Sequence, residues 1–161
     1  MAFLTSITLS HFRSHKHAKL TLDKRPVAIS GANGSGKTNI IEAISLFSPG
    51  RGLRGANAQA MMRMPECIGW KITGHVKSDN KTVEISFSSK QGRRRDVFID
   101  GKTAAQIKLS KYTRVLWLVP SMDRLWIEGA EGRRRFLDRI ALSFFPSHAE
   151  NTLRYEKSMR E

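Results

Sequence analysis

Cysteine is almost absent: Cys67 is the single one in the chain. One thiol builds no internal disulfide framework, which fits a reducing compartment, and a cytoplasmic location is the expectation. Long apolar runs are missing as well. No stretch reaches the roughly 18 apolar residues of a membrane-crossing helix, so no such span is expected. The opening MAFLTSITLSHFRSHKH has no basic start, no long apolar block and no cleavage site. It reads as a strand of the fold, not as a signal peptide. Acid is scarce: 14 Asp and Glu stand against 28 Lys and Arg, a formal net charge of +14. A chain so basic is drawn to polyanions, and nucleic acid is favoured over the alternative of a balancing acidic segment elsewhere. What is present is 161 residues at 40% apolar content, enough for one domain with a real core.

Alternating apolar residues dominate the first part. Ile7 and Leu9 share a face in ITLSHF, as do Leu20 and Leu22 in AKLTLD. RPVAIS, Arg25 to Ser30, is a short apolar run that predicts a buried strand feeding a Gly-rich loop. From Thr38 to Phe47 the period becomes helical, with Ile40, Ile41, Ile44 and Phe47 on one face. Pro49 and the glycines of SPGRGLRG end that helix. Alternation returns at Trp70, Ile72 and Val76 and again at Val83, Ile85 and Phe87, predicting an antiparallel meander. Asp100-Gly101 suits a type I′ hairpin turn, whose two central positions need positive φ. RVLWLVP predicts a further strand closed by Pro120. Phe136, Leu137, Ile140, Ala141 and Phe144 then mark an amphipathic helix. The last stretch, SHAENTLRYEKSMRE, reads as a helix that is polar nearly all round and ends without a stop signal.

The chemistry centres on GANGSGKT, Gly31 to Thr38, a G-x-x-x-x-G-K-T loop. Gly31, Gly34 and Gly36 permit backbone conformations that a side chain forbids. Successive N–H groups of Ala32, Asn33, Ser35 and their neighbours can then cradle a β-phosphate at the N-terminus of the helix that carries Asn39. Lys37 reaches the β- and γ-phosphates as a point charge, and Thr38 offers its hydroxyl to Mg²⁺. A glycine turn with a chance lysine is the alternative. The flanking strand and helix patterns favour the phosphate loop.

GANGSGKTNIIEAIS, with Asn33 inside the loop, resembles the ATP-binding heads of the RecF, SMC and related ABC-type ATPases. ITLSHFRSHKHAKLTL resembles their opening strand pair, whose aromatic-Arg-Ser turn, here Phe12, Arg13 and Ser14, lies near the nucleotide. SPGRGLRGANAQAMMR, RVLWLVPSMDRLWIEGAEGRRRFLDR and LRYEKSMRE narrow the resemblance to the RecF family, over essentially the whole chain. The resemblance implies an α/β fold: the N-terminal lobe of a P-loop NTPase head with an antiparallel β meander. It places this lobe at 1–146 and the start of a helix leading into a second domain at 147–161. It implies ATP and Mg²⁺ as cofactors, with Gly31, Ala32, Asn33, Gly34, Ser35, Gly36, Lys37, Thr38, Asn39, Phe12 and Arg13 around the nucleotide. Further implications are DNA at single-strand gaps or junctions, an ATP-dependent homodimer, mediator partners such as RecR, and help to a recombinase.

The signature motif, the Walker B acid and the switch residues of such heads have no convincing copy in this sequence. Asp123 follows the apolar run VLWLVP, but Pro120 and Ser121 shift it onto the next helix start, where an Asp more often caps or favours the dipole. Hydrolysis by this chain alone is therefore not expected, since phosphoryl transfer depends on positioning groups that are half absent. Arg51 and Arg54, by resemblance, and the Arg93, Arg94 and Arg95 cluster are candidates for DNA phosphates. A solvated face or local pairing is the alternative for the last three. For Arg133, Arg134 and Arg135 a structural reading is preferred, with Asp138 within pairing distance along a helix. His15 and His17 read as solvated, Cys67 as structural, and Trp70, Trp117 and Trp126 as core residues. A small P-loop kinase and a DNA-binding module with an inert loop remain as other functional readings.

Overall fold

A computed structural model describes residues 2–78, 81–91, 93–125, 127 and 129–160. Its frame is one six-stranded sheet of order β2-β1-β3-β4-β5-β6. The strands are β1 (Ala2–Phe12), β2 (His15–Thr21), β3 (Trp70–Ser78), β4 (Lys81–Ser89), β5 (Asp96–Ile99) and β6 (Lys102–Thr103), and every neighbouring pair is antiparallel. The alternation in the sequence becomes a two-faced sheet. Ile7 faces Gly74 and Leu9 faces Ile72 across β1 and β3, and all lie on the buried face. The opposite face carries Lys19, Thr8, Thr73 and Ser86 in one row across four strands. Between β5 and β6, Asp100 and Gly101 take φ of 48° and 74°, the double positive value expected for that pair.

The helix α1 (Lys37–Ser45) crosses the buried face and is fastened there by its last turn and the residues just beyond. Ala43, Leu46 and Phe47 enter the core with Ile72, Ile85 and Phe87. Phe47 and Phe87 meet edge to face, with ring centres 5.0 Å apart. Gly74 makes this possible, because a Cβ there would stand 2.4 Å from the Phe47 ring. The expected apolar stripe of α1 holds in part: Phe47 is in the core and Ile40 and Ile44 pack against it. Glu42, Ala43 and Ser45 are buried, whereas Ile41 is 44% exposed. Ile40 and Ile44 are half-buried against the core, and Ile41 and Ile44 also line a cleft bounded by Val27 and Ile29.

Two expected strands are not formed. Residues 26–30 and 114–119 have irregular backbone, and Val27, Leu116 and Leu118 are exposed. A strand needs a neighbour for its N–H and C=O groups, and among the described residues neither segment has one. Helices α2 (Ala130–Phe144) and α3 (His148–Ser158) form where the sequence places them, yet neither buries a residue. Trp70 is core and donates from Nε1 to the Ala58 carbonyl. Trp117 is half-buried, with the Arg139 guanidinium 3.7 Å from its ring centre, and Trp126 lies outside the described residues.

Candidate nucleotide-binding site

The Gly-rich loop runs into α1 with Gly36 as its last non-helical residue, at φ 91°. Gly36 is required twice over. Its φ is one that side chains rarely adopt, and a Cβ would meet Ser14 Oγ and His15 Nε2 at 2.6 Å. The β1–β2 turn is thus pressed onto the mouth of the helix. His15 Nε2 donates to the Gly36 carbonyl at 3.1 Å. His15 is therefore not merely solvated, as its sequence context suggests, while His17 is exposed.

Gly31 to Ser35 are exposed, and so is Thr38. Lys37 curls back over the loop and donates from Nζ to the carbonyls of Gly31 at 2.6 Å and Ala32 at 2.8 Å. Those carbonyls leave one ammonium donor unspent, and an anion entering the loop would compete for the other two. A Cβ at Gly34 would meet nothing within 4 Å, so the loop is open on that side. The residues present therefore fit a nucleoside phosphate: exposed amides at a helix N-terminus, a lysine above them and a hydroxyl beside them. Lys37 and the loop amides would hold the phosphates, and Thr38 the magnesium ion.

Around the helix start lies a clamp that sequence reading missed. Glu42 is fully buried on α1. Arg13 grips it with two bonds, Nε to Oε2 at 2.9 Å and Nη2 to Oε1 at 2.6 Å. Arg54 adds Nη1 to Oε2 at 2.8 Å. The same Arg54 nitrogen donates to Asn39 Oδ1 at 2.9 Å, and Asn39 Nδ2 donates to Ser14 Oγ at 2.8 Å. Arg63 also donates to the Ser14 carbonyl, holding the β1–β2 turn from its other side. Burying a lone carboxylate is costly, and here two guanidinium groups compensate it. A glutamate amid apolar residues on a short helix was the one available signal.

The other candidates are spread out. Phe12 is fully buried and meets Trp70 edge to face at 5.6 Å, so its ring belongs to the core. Arg51, Arg93 and Arg94 are exposed. Arg95 turns inward, donating to the Gly50 carbonyl and to Gln106 Oε1. Burial holds its guanidinium below the ordinary arginine value. Arg135 pairs with Glu131, and Asp138 pairs with His148 at 3.1 Å, so the expected bonding of Asp138 to the arginine cluster gives way to other partners. Asp123 is exposed in the first turn of a 3-10 helix, Pro120–Arg124. Among the described residues no group of three or more His, Cys, Asp or Glu could hold a metal ion.

A family model described as RecF/RecN/SMC N terminal domain matches residues 3–119. The chain belongs to this family. The DNA replication and repair protein RecF of Caulobacter vibrioides is 44% identical over 167 residues, covering 99% of this chain and 43% of that protein. A solved structure of the recombination mediator protein RecF with ATP aligns at a TM-score of 0.83 and 27% identity, over 97% of this chain and 43% of that one. An Smc head domain derived from Pyrococcus furiosus aligns at a TM-score of 0.66 and 20% identity, over 99% of this chain and 46% of that one, a likeness of fold. The fold is thus that of RecF and SMC ATPase heads, and the chain spans less than half the length of these relatives.

Proposed function

We propose that the chain is the ATP-binding lobe of a DNA replication and repair protein of the RecF type. The observation that carries this reading is the exposed glycine loop capping α1, with Lys37 poised over its carbonyls. Gly31 to Asn39 take the triphosphate and Thr38 the magnesium ion. Arg13 stands beside this pocket, while Phe12 supports it from the core. Exposed Arg51, Arg93 and Arg94 face DNA phosphates, and Arg54 stands between that surface and the nucleotide. The basic balance of the chain, +14, supports a polyanionic partner.

In this reading residues 1–146 form the N-terminal lobe of the head, and 147–161 begin the helix toward a further domain. ATP joins two heads, the dimer acts at single-strand gaps or junctions in DNA, and mediator partners of the RecR kind help it to assist recombinase loading in the cytoplasm. The acid that activates water for hydrolysis comes from outside the segment seen here.

The test is a titration of fluorescent ATP with Mg²⁺ against the protein and its Lys37→Ala variant, with GTP as competitor. Binding that the substitution abolishes and GTP leaves intact is the expected result. Equal displacement by GTP would overturn the assignment to ATP. Binding that survives Lys37→Ala would overturn the role of the loop.

A further inference from the structure

Glu42 is the most deeply buried charged group near the nucleotide loop, and its carboxylate is fully used. Oε1 accepts from Arg13, and Oε2 accepts from both Arg13 and Arg54. The two arginines come from different segments, Arg13 from the β1–β2 turn and Arg54 from the loop after α1. Both segments also touch the start of α1, through Ser14 on Asn39 and Arg54 on Asn39. Their side chains remain 20% and 40% exposed while Glu42 is at 1%, so the guanidinium groups lie between the buried acid and solvent. Two guanidinium charges against one carboxylate leave a surplus positive charge beside the helix that carries Lys37.

Resting on the proposed ATP-binding role, we propose that Glu42 is a positioning residue of the nucleotide site. It holds Arg13 and Arg54 in one geometry beside the phosphate loop, and thereby sets the affinity for a nucleoside triphosphate without touching it. A flexible arginine loses side-chain freedom when it meets an anion, and a group already locked by a buried partner loses less. The planar fork of Arg13 suits such locking, because both of its bonds to Glu42 are made at once.

The charge logic makes the role testable. Glu42→Gln removes a negative charge beside a site for an anion. If Glu42 acted only through its charge, the substitution would tighten ATP binding. If Glu42 only stabilised the fold, thermal stability would fall with affinity unchanged. A positioning role requires the opposite sign: the amide keeps one acceptor oxygen but turns its NH₂ toward a guanidinium donor, so the two-bond grip on Arg13 and the charge that holds both arginines are lost, and ATP affinity falls. A loss of about tenfold is expected, the size usual for groups that orient a binding shell from behind.

The experiment measures the dissociation constant of fluorescent ATP with Mg²⁺, alongside the melting temperature without nucleotide, for the protein and for Glu42→Asp, Glu42→Gln and Lys37→Ala. The expected order of affinity is wild type, then Glu42→Asp, then Glu42→Gln, because aspartate keeps the charge but sits one methylene short. Unchanged or tighter binding in a folded Glu42→Gln protein overturns the proposal and leaves the ATP-binding reading intact. Should Glu42→Gln fail to fold, Glu42→Asp decides: several-fold weaker binding supports the proposal, and unchanged binding overturns it. Binding that persists in Lys37→Ala, or none in wild type, overturns the underlying reading and the proposal with it.

Discussion

The two ends of this chain obey the same amphipathic rules with opposite results. Among the described residues, the sixteen that form the apolar core all lie between Ile7 and Leu109. Beyond them α2 and α3 bury nothing, and Leu118, Leu137, Phe144 and Phe145 are exposed. The apolar stripe of α2 is as legible in sequence as the alternation of β3. The difference is the partner. β3 lies between β1 and β4 and receives α1 on its buried face, so its apolar residues leave water as a set. An apolar stripe is a capacity to bury, and it stabilises only when a second surface is supplied.

This contrast can be broken or sharpened by substitution. The largest effect is expected at Phe47, which fills the gap above Gly74 and meets Phe87. Phe47→Ala should cost about 3–5 kcal/mol in urea unfolding, and a loss below about 1 kcal/mol would mean that α1 is not anchored to the sheet as described. Next comes Gly36→Ala. A methyl at φ 91°, within 2.6 Å of Ser14 and His15, should cost about 1–3 kcal/mol and push the β1–β2 turn off the loop. Hydrogen exchange at His15 and Ser14 would register that displacement, and unchanged protection would refute it. The smallest effect belongs to Phe144, which is 69% exposed. Phe144→Ala should change stability by no more than about 0.5 kcal/mol. It should instead reduce self-association in light scattering, since exposed apolar side chains on α2 are expected to promote it. A marked loss of stability would show that α2 has a packed partner after all.

Reading the sequence succeeded where a property is local. The Asp100-Gly101 turn and the alternation of β1, β3 and β4 follow from backbone sterics and from the two-residue period of a strand, which neighbours in the chain suffice to reveal. It overreached at RPVAIS and RVLWLVP, whose composition suits a strand but whose pairing partners composition cannot provide. On α1 it was right in part: Ile40, Ile44 and Phe47 face the core as expected, but Ile41 is exposed and Glu42 and Ser45 take buried positions. Periodicity shows that a helix has two faces, and the sheet beneath it selects one.

What the sequence by itself determined is the chemistry available: a glycine loop before α1, a lysine and a hydroxyl in the first turn of that helix, and a surplus of positive charge. Only the tertiary structure decided how that chemistry is held. It brought Arg13 and Arg54, far apart in sequence, onto the buried carboxylate of Glu42, set His15 against Gly36, and turned Arg95 inward while leaving Arg93 and Arg94 in solvent. Such contacts depend on loops closing over long separations. Their stability comes from burial that many residues create together, and no local pattern encodes it.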